Sequence, residues 1–78
     1  MKKSYLETLI DCQPLLKYLE EKYSGRFRSF NLVFTIVHDS ILERDLFIED
    51  LCTTEELKIF SWHRVGNLMD VVYSKYME

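Results

Sequence analysis

Four side chains in this sequence have the chemistry to hold a metal ion: Cys12, Cys52, His38 and His63. Two thiolates and two imidazoles suit tetrahedral zinc, but structural zinc sites draw their ligands in close pairs, and here every ligand stands alone in the chain. The four therefore read as ordinary core and surface residues, and the expected complement of metals and cofactors is none. The consecutive residues His38, Asp39 and Ser40 are the types found in a hydrolytic triad. Sequence neighbours cannot face one another as base, orienting acid and nucleophile, because a triad is assembled across a fold. The tripeptide reads as a turn or a helix cap. The carboxylate pairs Glu20-Glu21, Glu49-Asp50 and Glu55-Glu56 would act as general acid and base only in a cleft, and they read as solvated helix faces and first-turn charges. With two glycines in the whole chain, no glycine-rich phosphate loop exists. The expectation is a protein that is not an enzyme.

Composition narrows the setting. Cys12 and Cys52 belong to no paired spacing, which fits reduced thiols in the cytoplasm. No apolar run approaches the roughly 18 residues of a membrane span, and the N-terminus lacks the continuous apolar segment of a signal peptide. The net charge is −3 and no basic run exceeds Lys2-Lys3, so there is no stripe to hold a phosphate backbone and nucleic acid is not the expected partner. An acidic balance suits basic protein partners instead.

The elements that must position these residues belong to one domain spanning residues 1–78. With 47% hydrophobic and 14% aromatic residues the chain should fold, yet a domain of this size buries only about 60–65% of its unfolded surface and gains from forming a homodimer. From Lys2 to Ser24, Tyr5, Leu9, Cys12, Leu16, Leu19 and Tyr23 step by four and three, a helical seam. Pro14 either starts a second short helix, with Gln13 or Cys12 outside it, or kinks one long helix. Ser24-Gly25 ends the segment.

The apolar centre, Ser29 to Leu51, reads two ways. As a helix, Phe27, Phe30, Phe34, Val37, Ile41, Arg44, Ile48 and Leu51 form a seam; as a strand, Phe30, Leu32, Phe34 and Ile36 alternate with Asn31, Val33, Thr35 and Val37. The β-branched residues favour the strand. The want of a pairing partner favours the helix, since the one candidate, Asp45 to Glu49, is short and charged. Ser40 with Glu43, and Thr53 with Glu56, have capping-box spacing, which predicts helix starts at Ile41 and near Thr54, the latter helix running to Tyr76 with Val65, Leu68, Met69, Val72 and Tyr76 on one face. The expected fold is predominantly all-α, a bundle of three main helical segments with the first kinked or broken at Pro14. The alternative is α+β, with residues 29–38 as a β-strand.

Two resemblances follow from these segments. Phe30-Asn31-Leu32-Val33-Phe34, followed by helices at 41–51 and from 54 onward, resembles the strand-helix-helix order of ribbon-helix-helix repressors, which implies DNA read by Asn31 and Thr35. Asp39-Ser40-Ile41 together with Val65-Gly66-Asn67-Leu68 is similar to the attachment site and final helix of acyl carrier proteins, which implies a phosphopantetheine arm on Ser40.

Eleven aromatic residues exceed what a three-helix core of this size must bury. Tyr18, Tyr23, Phe27, Phe47, Trp62 and Tyr73 are the candidates to stand partly outside it as anchors for a larger protein, since aromatics bury much area for little lost freedom. The expected function is a small regulatory or adaptor module that blocks or tethers that partner and also self-associates.

Overall fold

Two serines start helices by the same bond. In the computed structural model, which describes residues 4–77, Ser4 Oγ accepts from Glu7 N at 3.2 Å and Ser40 Oγ accepts from Glu43 N at 3.1 Å, each satisfying one of the amides that a first helical turn leaves unpaired. Ser4 opens α1 (Tyr5–Asp11) and Ser40 opens α3 (Ile41–Thr53). Between them α2 (Gln13–Tyr23) carries Pro14 in its first turn, where a missing N–H costs nothing. Cys12 joins the two as a bend. Ser24 and Gly25 then take positive φ, 46° and 90°, and stop the segment.

The chain next turns into β1 (Phe27–Phe30) and β2 (Val33–Val37), and after α3 it makes one 3-10 turn (Glu55–Leu57), β3 (Phe60–Arg64), β4 (Met69–Ser74) and a final 3-10 turn (Lys75–Met77). The four strands form one antiparallel sheet in the order β1-β2-β4-β3. This is an α+β fold, with one helical layer on one face of a sheet. The all-α bundle is thus overturned, for two physical reasons. Residues 29–38 form not one strand but the end of β1, a turn at Asn31 and Leu32, and β2, which finds a partner on each side within the same chain, so that no central helix is needed to bury them. The segment expected as a last helix from 54 to 76 is instead a hairpin, turning at Gly66, whose φ of 83° interrupts any helix.

The β1–β2 turn has its own cost. Asn31 and Leu32 both lie in the left-handed region, at φ 51° and 64°, the geometry that a two-residue hairpin loop demands. Asn tolerates it; Leu does not, by about 1–2 kcal/mol. Leu32 is nevertheless 7% exposed, and burying such a side chain contributes about 1.5–3 kcal/mol. Burial offsets the strain.

The core lies between the helices and the inner side of the sheet. Thr8, Cys12, Leu15, Leu19 and Tyr23 from α1 and α2 and Phe47 and Leu51 from α3 close on Phe34, Ile36, Phe60 and Val72 of the sheet, with Leu57 beside them. The seam expected on the first segment is shifted: Tyr5 is 65% exposed and Leu15 replaces Leu16 at the buried position. Tyr23, Phe47 and His38 pack ring on ring, with centroids 5.3–5.7 Å apart. Through this cluster runs a polar chain. Tyr23 Oη lies 3.1 Å from His38 Nδ1, His38 Nε2 lies 2.8 Å from Asp70 Oδ2, and Arg64 Nε donates to Asp70 Oδ1 at 3.1 Å. A buried carboxylate is tolerated only with such partners.

Two tyrosyl hydroxyls of the helical layer are held protonated. Burial first, then the bond from Tyr18 Oη to Asp50 Oδ2 at 2.6 Å, pushes Tyr18 well above its ordinary value; burial first, then the Glu43 charge, does the same to Tyr23. Both therefore bind a proton more tightly folded than unfolded. Their stabilising contribution is complete below the unfolded value near 10 and is lost as the pH climbs past it. In urea titrations above about pH 10, the parent protein should lose stability more steeply than the Tyr18→Phe variant; parallel pH profiles would contradict this.

Candidate interaction surface

Alternation along β4 puts the wrong residues inside. Asp70, Val72 and Ser74 point to the core and are buried, whereas Met69, Val71 and Tyr73 are half-buried and point to the opposite side, which no helix among the described residues covers. An apolar row facing out and a polar-rich row facing in invert the pattern of a sheet with one wet face. Register extends the row sideways. Tyr73 stands opposite Val33, itself opposite Phe30; Val71 stands opposite Thr35, and Met69 opposite Val37. Phe30 is 79% exposed and Val37 44%. A groove of about 410 Å³ runs beside Phe30, between Arg28, Val33 and Thr35.

The polar members of this face are few. His63 and Tyr73 stack with ring centroids 5.4 Å apart, and His63 Nε2 lies 2.6 Å from Tyr73 Oη. Arg28 sits in the row of Thr35, Val71 and His63. The four strands carry one carboxylate, Asp70, and it points inward. The net charge of −3 thus says little about what this face meets.

A second departure from expected burial occurs in α1. Its buried side chain is Thr8, whose Oγ1 donates to Ser4 O at 2.9 Å, while Leu6 and Ile10 are 64% and 61% exposed. On α3, Leu42 and Leu46 also stand out, beside a pocket of about 340 Å³ that reaches Tyr18, Tyr23 and Asp50.

The six aromatics expected at a partner surface scatter. Phe47 and Tyr23 are 1% and 2% exposed and belong to the core cluster, so neither offers surface to another protein. Tyr18 is partly buried on α2 and tied to Asp50. Phe27 and Trp62 pack at opposite edges of the inner face, Trp62 beneath the Arg64 guanidinium at 5.2 Å. Tyr73 alone lies on the uncovered face. Sequence reasoning missed Phe30, Val33, Val71 and Met69, although the alternation from Met69 to Ser74 carried the signal once that stretch was read as extended.

The residues with chemical potential are likewise separated. His38 is enclosed by Tyr23, Phe47 and Asp70, His63 lies on the outer face, Cys12 is buried with its thiol pushed up by burial and by Asp11, and Cys52 is exposed. Among the described residues no three His, Cys, Asp or Glu side chains gather as a metal site. The buried Tyr-His-Asp chain has the ingredients of a proton relay, but His38 and Asp70 are 2% and 0% exposed, and no substrate reaches them. Ser40 is spent as the α3 cap. The strand-helix-helix order of ribbon-helix-helix proteins is absent, because a helix and then two strands follow the first hairpin. No helix among the described residues is long and apolar enough to cross a membrane. Compared with protein-family models, with curated proteins and with solved structures, the chain matches none.

Proposed function

We propose that this protein is a non-enzymatic binding module that regulates or tethers a larger protein through the outer face of its sheet. The observation that carries this reading is the inversion of β4: Met69, Val71 and Tyr73 are turned away from the core although Asp70 and Ser74 occupy it. An apolar row left half-buried adds little stability to the fold, and with the exposed Phe30 and Val37 beside it the face forms a contiguous apolar patch of the kind that marks an interaction surface. Its composition agrees. Aliphatic residues fill the middle, with Arg28 and the His63–Tyr73 pair toward the strand edges, and the one carboxylate of the strands, Asp70, is turned away from it. A single domain this small also binds by the surface it presents rather than by a deep cleft.

The test compares native and denatured masses of the protein purified gently from its own cells, in parent and Val71→Glu forms. The parent should be recovered with one larger protein at fixed stoichiometry. The variant should keep its far-ultraviolet circular dichroism and lose the partner, with affinity reduced about tenfold or more, as for a truncated interface centre. Leu46→Glu, on the helical side, should leave the complex intact. A complex that survives V71E, or a parent recovered alone, would overturn the reading. A parent homodimer split by V71E would make the face a self-association surface, and a mass added at Ser40 would replace this function by that of a carrier.

A further inference from the structure

The sheet ends at β3, beyond which no strand lies among the described residues. Val65 N donates to Met69 O at 2.9 Å and Lys75 N to Ile59 O at 2.8 Å. These two bonds fix the phase of the β3–β4 ladder: the odd-numbered residues of β3 turn their amides and carbonyls toward β4, and Phe60, Trp62 and Arg64 turn theirs outward. Along this edge lies a pocket of about 520 Å³, floored by Trp62 and bounded by Cys52, Lys58, His63 and Lys75. Among the described residues no carboxylate lines it, although the chain has 13 acidic and 10 basic residues. The Lys58 ammonium has one neighbour of opposite sign, Glu55 at 3.1 Å, and both groups are more than half exposed, so that pair contributes little and exchanges readily. Lys58 and Lys75 stand at the Phe60 end of the strand, His63 and Arg64 at the other.

We propose that the β3 edge is a docking site for an extended acidic segment of another protein, which adds to the sheet as a fifth strand. Main-chain bonds from Phe60, Trp62 and Arg64 supply the pairing, and Lys58 and Lys75 at one end with His63 at the other select acidic side chains on the incoming strand, the Arg64 guanidinium being held by Asp70. A second copy of this chain is not the occupant: antiparallel pairing of β3 with itself sets the Lys58 and Lys75 end of one strand against the His63 and Arg64 end of the other, basic group facing basic group. Lysines on an edge discourage casual pairing of uncharged strands, and that selectivity is what leaves an acidic strand as the one to fit. The site uses residues other than Phe30, Val33, Val71 and Met69, and it stands whether or not the outer face binds a partner.

The experiment uses the full chain and synthetic seven-residue peptides of alternating valine and threonine, ending either in glutamate or in lysine at both termini. Binding is followed by Trp62 fluorescence and backbone amide shifts. The glutamate peptide should bind, move the amides of Phe60, Trp62 and Arg64, and weaken with added salt; the lysine peptide should bind about tenfold or more weakly. N-methylation of alternate peptide residues in one phase should abolish binding, and in the other phase leave it unchanged, because only one set of N–H groups faces β3. The Lys58→Glu/Lys75→Glu double variant should reverse the preference, while V71E should not change it. Equal binding of both peptides, indifference to the phase of methylation, no binding at all, or shifts confined to the outer face would each overturn the proposal.

Discussion

Replacing Asp70 by alanine should destabilise the domain by about 3–5 kcal/mol, the cost of removing one member of a buried ionic pair. A chain of 78 residues has roughly 4–12 kcal/mol in all, so the variant should be largely unfolded at moderate temperature. The reason is local. Asp70 Oδ2 is the partner of His38 Nε2 and Oδ1 the acceptor for Arg64 Nε, inside a region where both His38 and Asp70 side chains are fully enclosed. Without the carboxylate, the enclosed imidazole nitrogen loses its partner and carries its own desolvation cost, whereas the Arg64 guanidinium, 31% exposed, still reaches water. Asn at 70 keeps an acceptor oxygen and should be milder. His38→Ala combined with D70A should cost less than the two losses added together, because they share one interaction. Urea unfolding of the four proteins decides it, and a D70A variant within about 1 kcal/mol of the parent would show that the chain of polar groups is not holding the sheet to the helices.

Phe47→Ala should come close behind, at about 3–5 kcal/mol for an aromatic side chain deleted from a close-packed core. Phe47 is the ring around which the helical layer closes, with Tyr18, Tyr23 and His38 at 6.1, 5.7 and 5.3 Å between centroids. Its loss leaves a cavity that these neighbouring rings cannot fill without leaving their hydrogen bonds, Tyr18 to Asp50, Tyr23 to His38 and His38 to Asp70. Phe47→Leu should recover about half of the loss. Read from sequence as a partner anchor, Phe47 would weaken association while leaving the folded structure unchanged; placed in the core, it should lower the thermal midpoint together with helical and sheet signals. Circular dichroism separates these two results.

Local chemistry announced the helix boundaries. Ser40 with Glu43, Pro14 in a first turn and Gly25 after Tyr23 act through bonds and dihedral angles a few residues long, and each appears where its chemistry demands. The strands were hidden because their evidence is not local. Residues 29–38 carried helical and extended periodicities equally well, and what decides between them is whether another strand lies alongside. That strand, β4, sat in a stretch where Thr53-Glu56 imitated a capping box and Val65, Leu68, Met69, Val72 and Tyr76 imitated a helical stripe. Thr53 is instead the last residue of α3, its hydroxyl donating to Glu49 O at 2.8 Å, and the 3-10 turn that follows, Glu55–Leu57, has no side-chain cap. The candidate surface was obscured for a related reason. Choosing aromatics favoured residues by type, whereas exposure on a sheet follows parity, and the parity of β4 sends Val71 out and Asp70 in.

The strand order has a kinetic corollary. Each hairpin closes over a few residues, but the central pair joins Val37 to Met69 and Val33 to Tyr73, partners 32 and 40 positions apart in the chain. Closing so long a loop costs about 3 kcal/mol of chain entropy before any contact repays it. The helix α3 takes up 13 residues of that interval, and its packing through Phe47 and Leu51 shortens the distance the ribbon ends must search. Docking of α3 and zipping of β2 to β4 therefore form a single cooperative event: short of it the molecule is two separate ribbons, and past it the sheet is whole.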